Sequence, residues 1–193
     1  MAACHQCGFS LEVIDSRMGI VPQLTPPVSD LHKQLSRADR RRALAAVGDL
    51  SRRFPQVELS YVVTALPDQL PPAEYAFWLF NRAGISSAVE RGGKNRRILL
   101  LVDSKSKHAV TMIGYGLEPF LAARHLQPCL LAAMGSLKAG EYGRGCEVFV
   151  AELTRQLQSV LAEIDRGFGV SDESVWVDSA SHGPIQLFTP ALV

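Results

Sequence analysis

The sequence predicts an α/β domain in which helices pack on both faces of one small mixed sheet. Three observations carry that prediction. At 193 residues, with 47% apolar and 20% charged residues, the chain is long enough to bury one substantial core. Its elements follow the order helix, strand, helix, hairpin, helices, which suits helices laid against a small sheet. Finally, Ile98–Val102 reads ILLLV, a strand-sized run whose two faces both demand cover, so it belongs inside the sheet.

The elements come in order. Residues 22–27, PQLTPP, stiffen the chain and favour an extended link over a helix. Ser36 opens the first helix: its side chain suits an N-cap, and Asp39 adds negative charge in the first turn. Leu44, Val47, Leu50 and Phe54 follow at near-helical spacing until Pro55 stops the run. VELSYVVTAL at 57–66 then alternates, with Val57, Leu59, Tyr61 and Val63 on one face and Val62 and Ala65 favouring the other.

Pro71 and Pro72 introduce a second helix, AEYAFWLFNRAG, with Gly84 at its exit. Its aromatics read first as core filling. Because their density exceeds what one helix stripe needs, part of the set is read second as covering a contact with the head, the tail or a partner chain. Ser86 to Arg97 is polar and glycine-containing and reads as an exposed loop. ILLLVD at 98–103 and HAVTMIG at 108–114, joined by SKSK, read as a hairpin. Helical material is expected from Pro119 to Met134, interrupted near Pro128. A long helix follows over about 145–166, with Phe149, Leu153, Leu157, Val160 and Ile164 on one side. The organisation is thus a cysteine-containing head at 1–27, a core at 28–166 and a tail at 167–193.

A formal charge of +1 supplies no field for a polyanion, so no nucleic-acid partner is expected. No run of eighteen apolar residues occurs, so no membrane span is expected. The first thirty residues lack the signal-peptide pattern, and a cytoplasmic location is expected by elimination.

Several features bear on chemistry. Cys4-His-Gln-Cys7-Gly8 resembles one arm of a zinc knuckle, but a structural zinc needs four ligands and no second CxxC is present. A metal-free turn is the first reading. Zinc completed by distant residues or by a second chain, and thiol redox chemistry, remain behind it. Cys129 and Cys146 read as core thiols. The basic stretches at 37–42 and 91–97 read first as solvated surface and second as a phosphate or acidic-partner site. The GxxxxGK[ST], GxSxG, HExxH and EF-hand patterns are all absent, and no catalytic residue is identified. Gly114-Tyr-Gly116-Leu-Glu118 is the most distinctive short segment. The first reading is that the glycines only turn the chain and Glu118 faces solvent or caps the helix. The second is that they let backbone amides approach a ligand, with Asp103 at the end of the neighbouring strand, where a carboxylate suits a hard cation such as calcium.

The ordered set Asp30, Leu35-Ser36, ILLLVD, GYGLE and Gly140-Glu-Tyr142 resembles the TPM domain family over about residues 28–162. That resemblance implies a three-layer α/β/α sandwich with a mixed central sheet. It further implies divalent-cation binding, acid phosphatase activity in some members, and assembly or repair of membrane complexes in others. Asp30 matches the family's aspartate before the first helix. The chain departs from the pattern at Asn95-Arg96, where the family has asparagine-glycine, and at Leu121–Arg124, where a threonine-aspartate is missing.

An interaction or assembly role, with a protein partner or a homodimer, is therefore the expected function. The alternative is a divalent-metal-dependent acid phosphatase acting on phosphomonoesters. In it Asp30, Asp103 and Glu118 would hold the cation, Gly114 and Gly116 would approach the ligand, and Arg96 or Arg124 would offset phosphate charge. Calcium or another divalent cation is the cofactor this implies, with zinc at Cys4 and Cys7 the lesser candidate.

Overall fold

The computed structural model describes residues 11–83 and 95–169. Its elements are helix α1 (Leu11–Met18), strand β1 (Val28–Asp30), α2 (Arg37–Arg53), β2 (Glu58–Thr64), α3 (Pro72–Arg82), β3 (Arg97–Asp103), β4 (His108–Ile113), α4 (Ala123–Lys138) and α5 (Tyr142–Gly169). The sheet order is β1-β2-β3-β4. β1, β2 and β3 run parallel, and β4 returns antiparallel to β3. The sheet is mixed, and β3 is interior, as its apolar run demands: residues 98–102 are all buried.

Alternation along the strands sends side chains to two helical layers. Val62, Leu99 and Leu101 join Ile14 of α1 and Tyr75, Ala76, Trp78, Leu79 and Phe80 of α3 in one cluster. Tyr61, the next residue along β2, points the other way, and its hydroxyl donates to the Tyr142 carbonyl at the start of α5, 3.0 Å. On that second face α2 meets α5 where the Gly143 amide donates to Asp39 Oδ1, 3.0 Å. A Cβ on Gly143 would stand 2.5 Å from the Asp39 Cα, so only glycine allows this approach. Ser36 caps α2 as its sequence indicates, accepting from the Asp39 amide at 3.0 Å and donating to Asp39 Oδ2 at 2.5 Å. Asp39 thereby serves the amino ends of two helices at once.

Four expectations change. The buried stripe of α2 is Ala43, Ala46, Val47 and Leu50, whereas Leu44 is 40% exposed, because small alanines let the helix lie close to the sheet. α4 runs through Pro128 without a break. The proline removes a single main-chain bond near the helix start, and buried Cys129, Ala133 and Leu137 hold the remainder. Helix formation there begins at Ala123, not Pro119. The head, whose sequence has few strong periodic signals, contains α1, which packs on α3. The Asp15 carboxylate accepts from Trp78 Nε1 at 2.7 Å and pairs with Arg82 at 2.5 Å. The Trp78 bond first, then Arg82, holds the Asp15 carboxyl below its usual range. The aromatic surplus of α3 thus meets the head, as one of the readings of its density had it.

The chain divides into two compact units, 1–157 and 158–193. Within the first, Phe149, Leu153 and Leu157 of α5 are buried. The second is helical to Gly169. Gly84 and the tail beyond Gly169 lie outside the described residues, as do Cys4 and Cys7.

Candidate functional site

Each parallel strand ends in a polar residue. Asp30, Thr64 and Asp103 close β1, β2 and β3 at the same edge of the sheet, the place where open α/β sheets commonly bind ligands. Here, however, the two carboxylates are spent on backbone amides and the Thr64 hydroxyl on the His32 ring. The Asp30 carboxylate accepts the amides of Gln34 at 2.8 Å and Leu35 at 2.9 Å, folding the turn that leads to the Ser36 cap. His32 Nδ1 lies 3.1 Å from the Thr64 hydroxyl and accepts the Ala65 amide at 3.2 Å, which leaves the ring proton on Nε2.

Asp103, nearly fully buried, accepts the Leu66 amide at 3.0 Å and the Lys105 amide at 3.1 Å. It also accepts the Ser106 amide at 3.3 Å and the Ser106 hydroxyl. Burial alone would raise its pKa, but these donors, led by the Ser106 hydroxyl, outweigh it and hold the carboxyl below its usual range. Beside this edge, Lys107 Nζ donates to the Tyr142 hydroxyl at 3.1 Å. Burial pushes the neighbouring Tyr61 phenol well above its ordinary value.

Asp30 and Asp103 do not converge. Asp30 is level with Val63 and Val63 with Val102, while Asp103 is level with Thr64, so the two carboxylates start from opposite faces of the sheet. Two strand spacings of about 4.8 Å also separate their strands. Glu118 is farther still. Because β4 runs back along β3, the segment after Ile113 returns to the beginning of β3: the Gly114 amide donates to the Arg97 carbonyl at 2.9 Å, and the Gly116 amide to the Asn95 carbonyl at 2.9 Å. Six residue steps along β3, roughly 20 Å, lie between this end and Asp103. The shared cation site expected from Asp30, Asp103 and Glu118 is therefore not assembled. Among the described residues, no three His, Cys, Asp or Glu side chains are grouped as metal ligands. The exposed Arg96 and Arg124 also sit at the Gly114 end, away from the two aspartates.

Gly114 and Gly116 turn the chain, the reading that stood ahead of ligand approach. Their amides close the chain onto Asn95 and Arg97 instead of lying open. Asn95, itself buried, braces the turn by accepting the Arg97 amide on Oδ1 at 3.1 Å. A Cβ on Gly114 would fall 2.3 Å from the Asn95 carbonyl oxygen. Gly114→Ala is expected to destabilise the fold by about 1–3 kcal/mol through this overlap, checked by urea unfolding beside Gly135→Ala, where a Cβ meets nothing within 4 Å.

What the loop does present is aromatic surface. Tyr115 is 68% and Phe120 47% exposed, both carried by the turn that Gly114 and Gly116 lock. Beside them β4 is the last strand of the sheet. Among the described residues no further strand pairs with its outer side.

The fold recurs in solved structures. The N-terminal domain of a protein from P. gingivalis, solved by solution NMR, has a TM-score of 0.58 at 20% identity, covering 84% of this chain and 96% of that one. The BA42 protein of the psychrophilic bacterium Bizionia argentinensis has a TM-score of 0.57 at 13% identity, with 67% and 86% covered. The N-terminal domain of the cg2496 protein of Corynebacterium glutamicum has a TM-score of 0.51 at 14% identity, with 88% and 99% covered. No family model matches the chain, and no curated protein matches it. At such identities the likeness shows a shared mixed α/β fold and nothing about activity. No helix among the described residues is long and apolar enough to cross a membrane.

Proposed function

We propose that this chain is a TPM-like domain that works in the cytoplasm by binding a protein partner, with no assured catalytic step. The observation that carries the reading is the exposed pair Tyr115 and Phe120 on a turn held rigid from below. Large aromatics at an exposed position are costly in solvent and supply contact area at low entropic cost when a partner covers them. The ordered sequence motifs support the TPM-like part of the reading, and the residues 28–166 are taken as that domain.

A photo-crosslinking amino acid at position 115, introduced in the native host, tests the reading. One defined adduct is expected, reduced several-fold by Phe120→Ser, with none from the same probe at Leu44 on α2. Equal labelling at both positions, or none at 115, would overturn it. The phosphomonoesterase alternative is checked separately: release of phosphate from an aryl phosphate with calcium, magnesium or manganese, abolished by Asp30→Asn, would favour catalysis instead.

A further inference from the structure

We propose that β4 pairs antiparallel with β4 of a second copy of this chain, joining the two sheets into one. This rests on the interaction reading above and names one partner for that side of the molecule.

The argument begins with hydrogen-bond parity. The Gly114 amide donates to the Arg97 carbonyl, and the pairing runs from Ile98↔Ile113 to Asp103↔His108. Bonded pairs alternate along an antiparallel ladder, so Val110 and Met112 turn their main-chain groups toward β3. Ala109, Thr111 and Ile113 turn theirs outward. Among the described residues those outward groups meet no main-chain partner. A row of donors and acceptors at this spacing is matched by another extended strand, and uncovered edges are where strands add.

Self-pairing suits this strand in three ways. Only a register centred on Thr111 engages all three outward residues of both copies, setting Ala109 against the partner's Ile113 and Thr111 against the partner's Thr111. This makes about six main-chain bonds, and any shift leaves a residue of each strand unpaired. The strand HAVTMI carries no acidic or basic side chain apart from His108 at its start. Every pair across the two-fold is therefore uncharged, and a threonine faces a threonine at the centre, a favourable cross-strand pair. The edge also lacks the usual guards against such pairing: no proline, lysine or inward charge interrupts residues 109–113. An isologous two-fold contact of this kind closes at two copies and does not polymerise.

Sedimentation equilibrium of the full chain tests it. Wild-type protein is expected to approach twice the 21.0 kDa mass of one chain as concentration rises from micromolar to millimolar. Thr111→Lys and Thr111→Glu, each placing like charges face to face at the two-fold, are each expected to remain monomeric. An equimolar mixture of the two is expected to restore the dimer, because only residues that face each other can exchange repulsion for attraction. Circular dichroism melts of both variants separate loss of pairing from loss of fold, and Thr111→Ser supplies a neutral control that should still dimerise. A wild-type chain that stays monomeric throughout, or a mixture that fails to rescue two folded variants, overturns the β4 pairing. Either result leaves the aromatic-loop reading to its own cross-linking test, so the two fail separately.

Discussion

Trp78→Ala is expected to destabilise the protein by about 3–5 kcal/mol, the usual cost of removing a large aromatic from a packed core, and to lower Tm by roughly 6–20 °C. Trp78 is fully buried, its ring centroid lies 5.5 Å from that of Tyr75, and the cluster around it joins α1, α3 and the sheet. Its indole N–H also tethers Asp15. The alanine variant thus loses packing and the tie to the head together. Trp78→Phe separates the terms: it keeps most of the ring and drops the hydrogen bond, leaving Asp15 its pair with Arg82, and should cost less than half as much. Chemical denaturation of the two variants measures the difference. A loss under about 1 kcal/mol in the alanine variant, the typical value for an ordinary point mutant, would mean that α1 and α3 do not share a core.

Asp103→Ala carries the second large effect, about 2–4 kcal/mol, since it removes hydrogen bonds to a charged group and leaves the buried Leu66 amide without its acceptor, together with the amides of the exposed Lys105 and Ser106. Asp103→Asn keeps one carbonyl oxygen and should recover part of that loss. The same residue predicts an acid limb. Its folded-state pKa lies below the ordinary value, so the stability due to the ionised carboxylate is complete above about pH 4, the unfolded range. That stability disappears as pH falls through the lower folded value. Unfolding free energy measured from neutral pH downward should therefore decline more steeply in wild type than in Asp103→Asn. A calcium-dependent rise in Tm that Asp103→Asn abolishes would instead assign the carboxylate to an ion.

Local signals carried much of the fold. The Ser36 cap, the alternation of 57–66, the doubly covered 98–103 run and the SKSK hairpin are each decided by neighbours within a few residues, through capping, periodicity and turn chemistry. That is why they were legible. α1 was not, because an eight-residue helix has little propensity of its own and is held by Trp78 and Arg82, more than sixty positions away in the chain. Leu44 misled for a related reason: two helix stripes one residue apart differ only in what they pack against.

The candidate site divides along the same line. The sequence by itself determined which residues carry charge or flexibility at element ends: Asp30, Asp103, Glu118 and the two glycines of GYGLE. It also contained the fact that β4 doubles back, which places Gly114 beside Arg97 and far from Asp103. Only the tertiary structure decided the rest. A side chain's face depends on strand register, and register sends Asp30 and Asp103 to opposite sides of the sheet. Whether a carboxylate is free depends on which amides reach it, and here the Leu66 amide arrives at Asp103 from 37 residues away in the chain. Main-chain pairing likewise decides whether a strand is covered, and among the described residues it leaves the main-chain groups of Ala109, Thr111 and Ile113 facing outward.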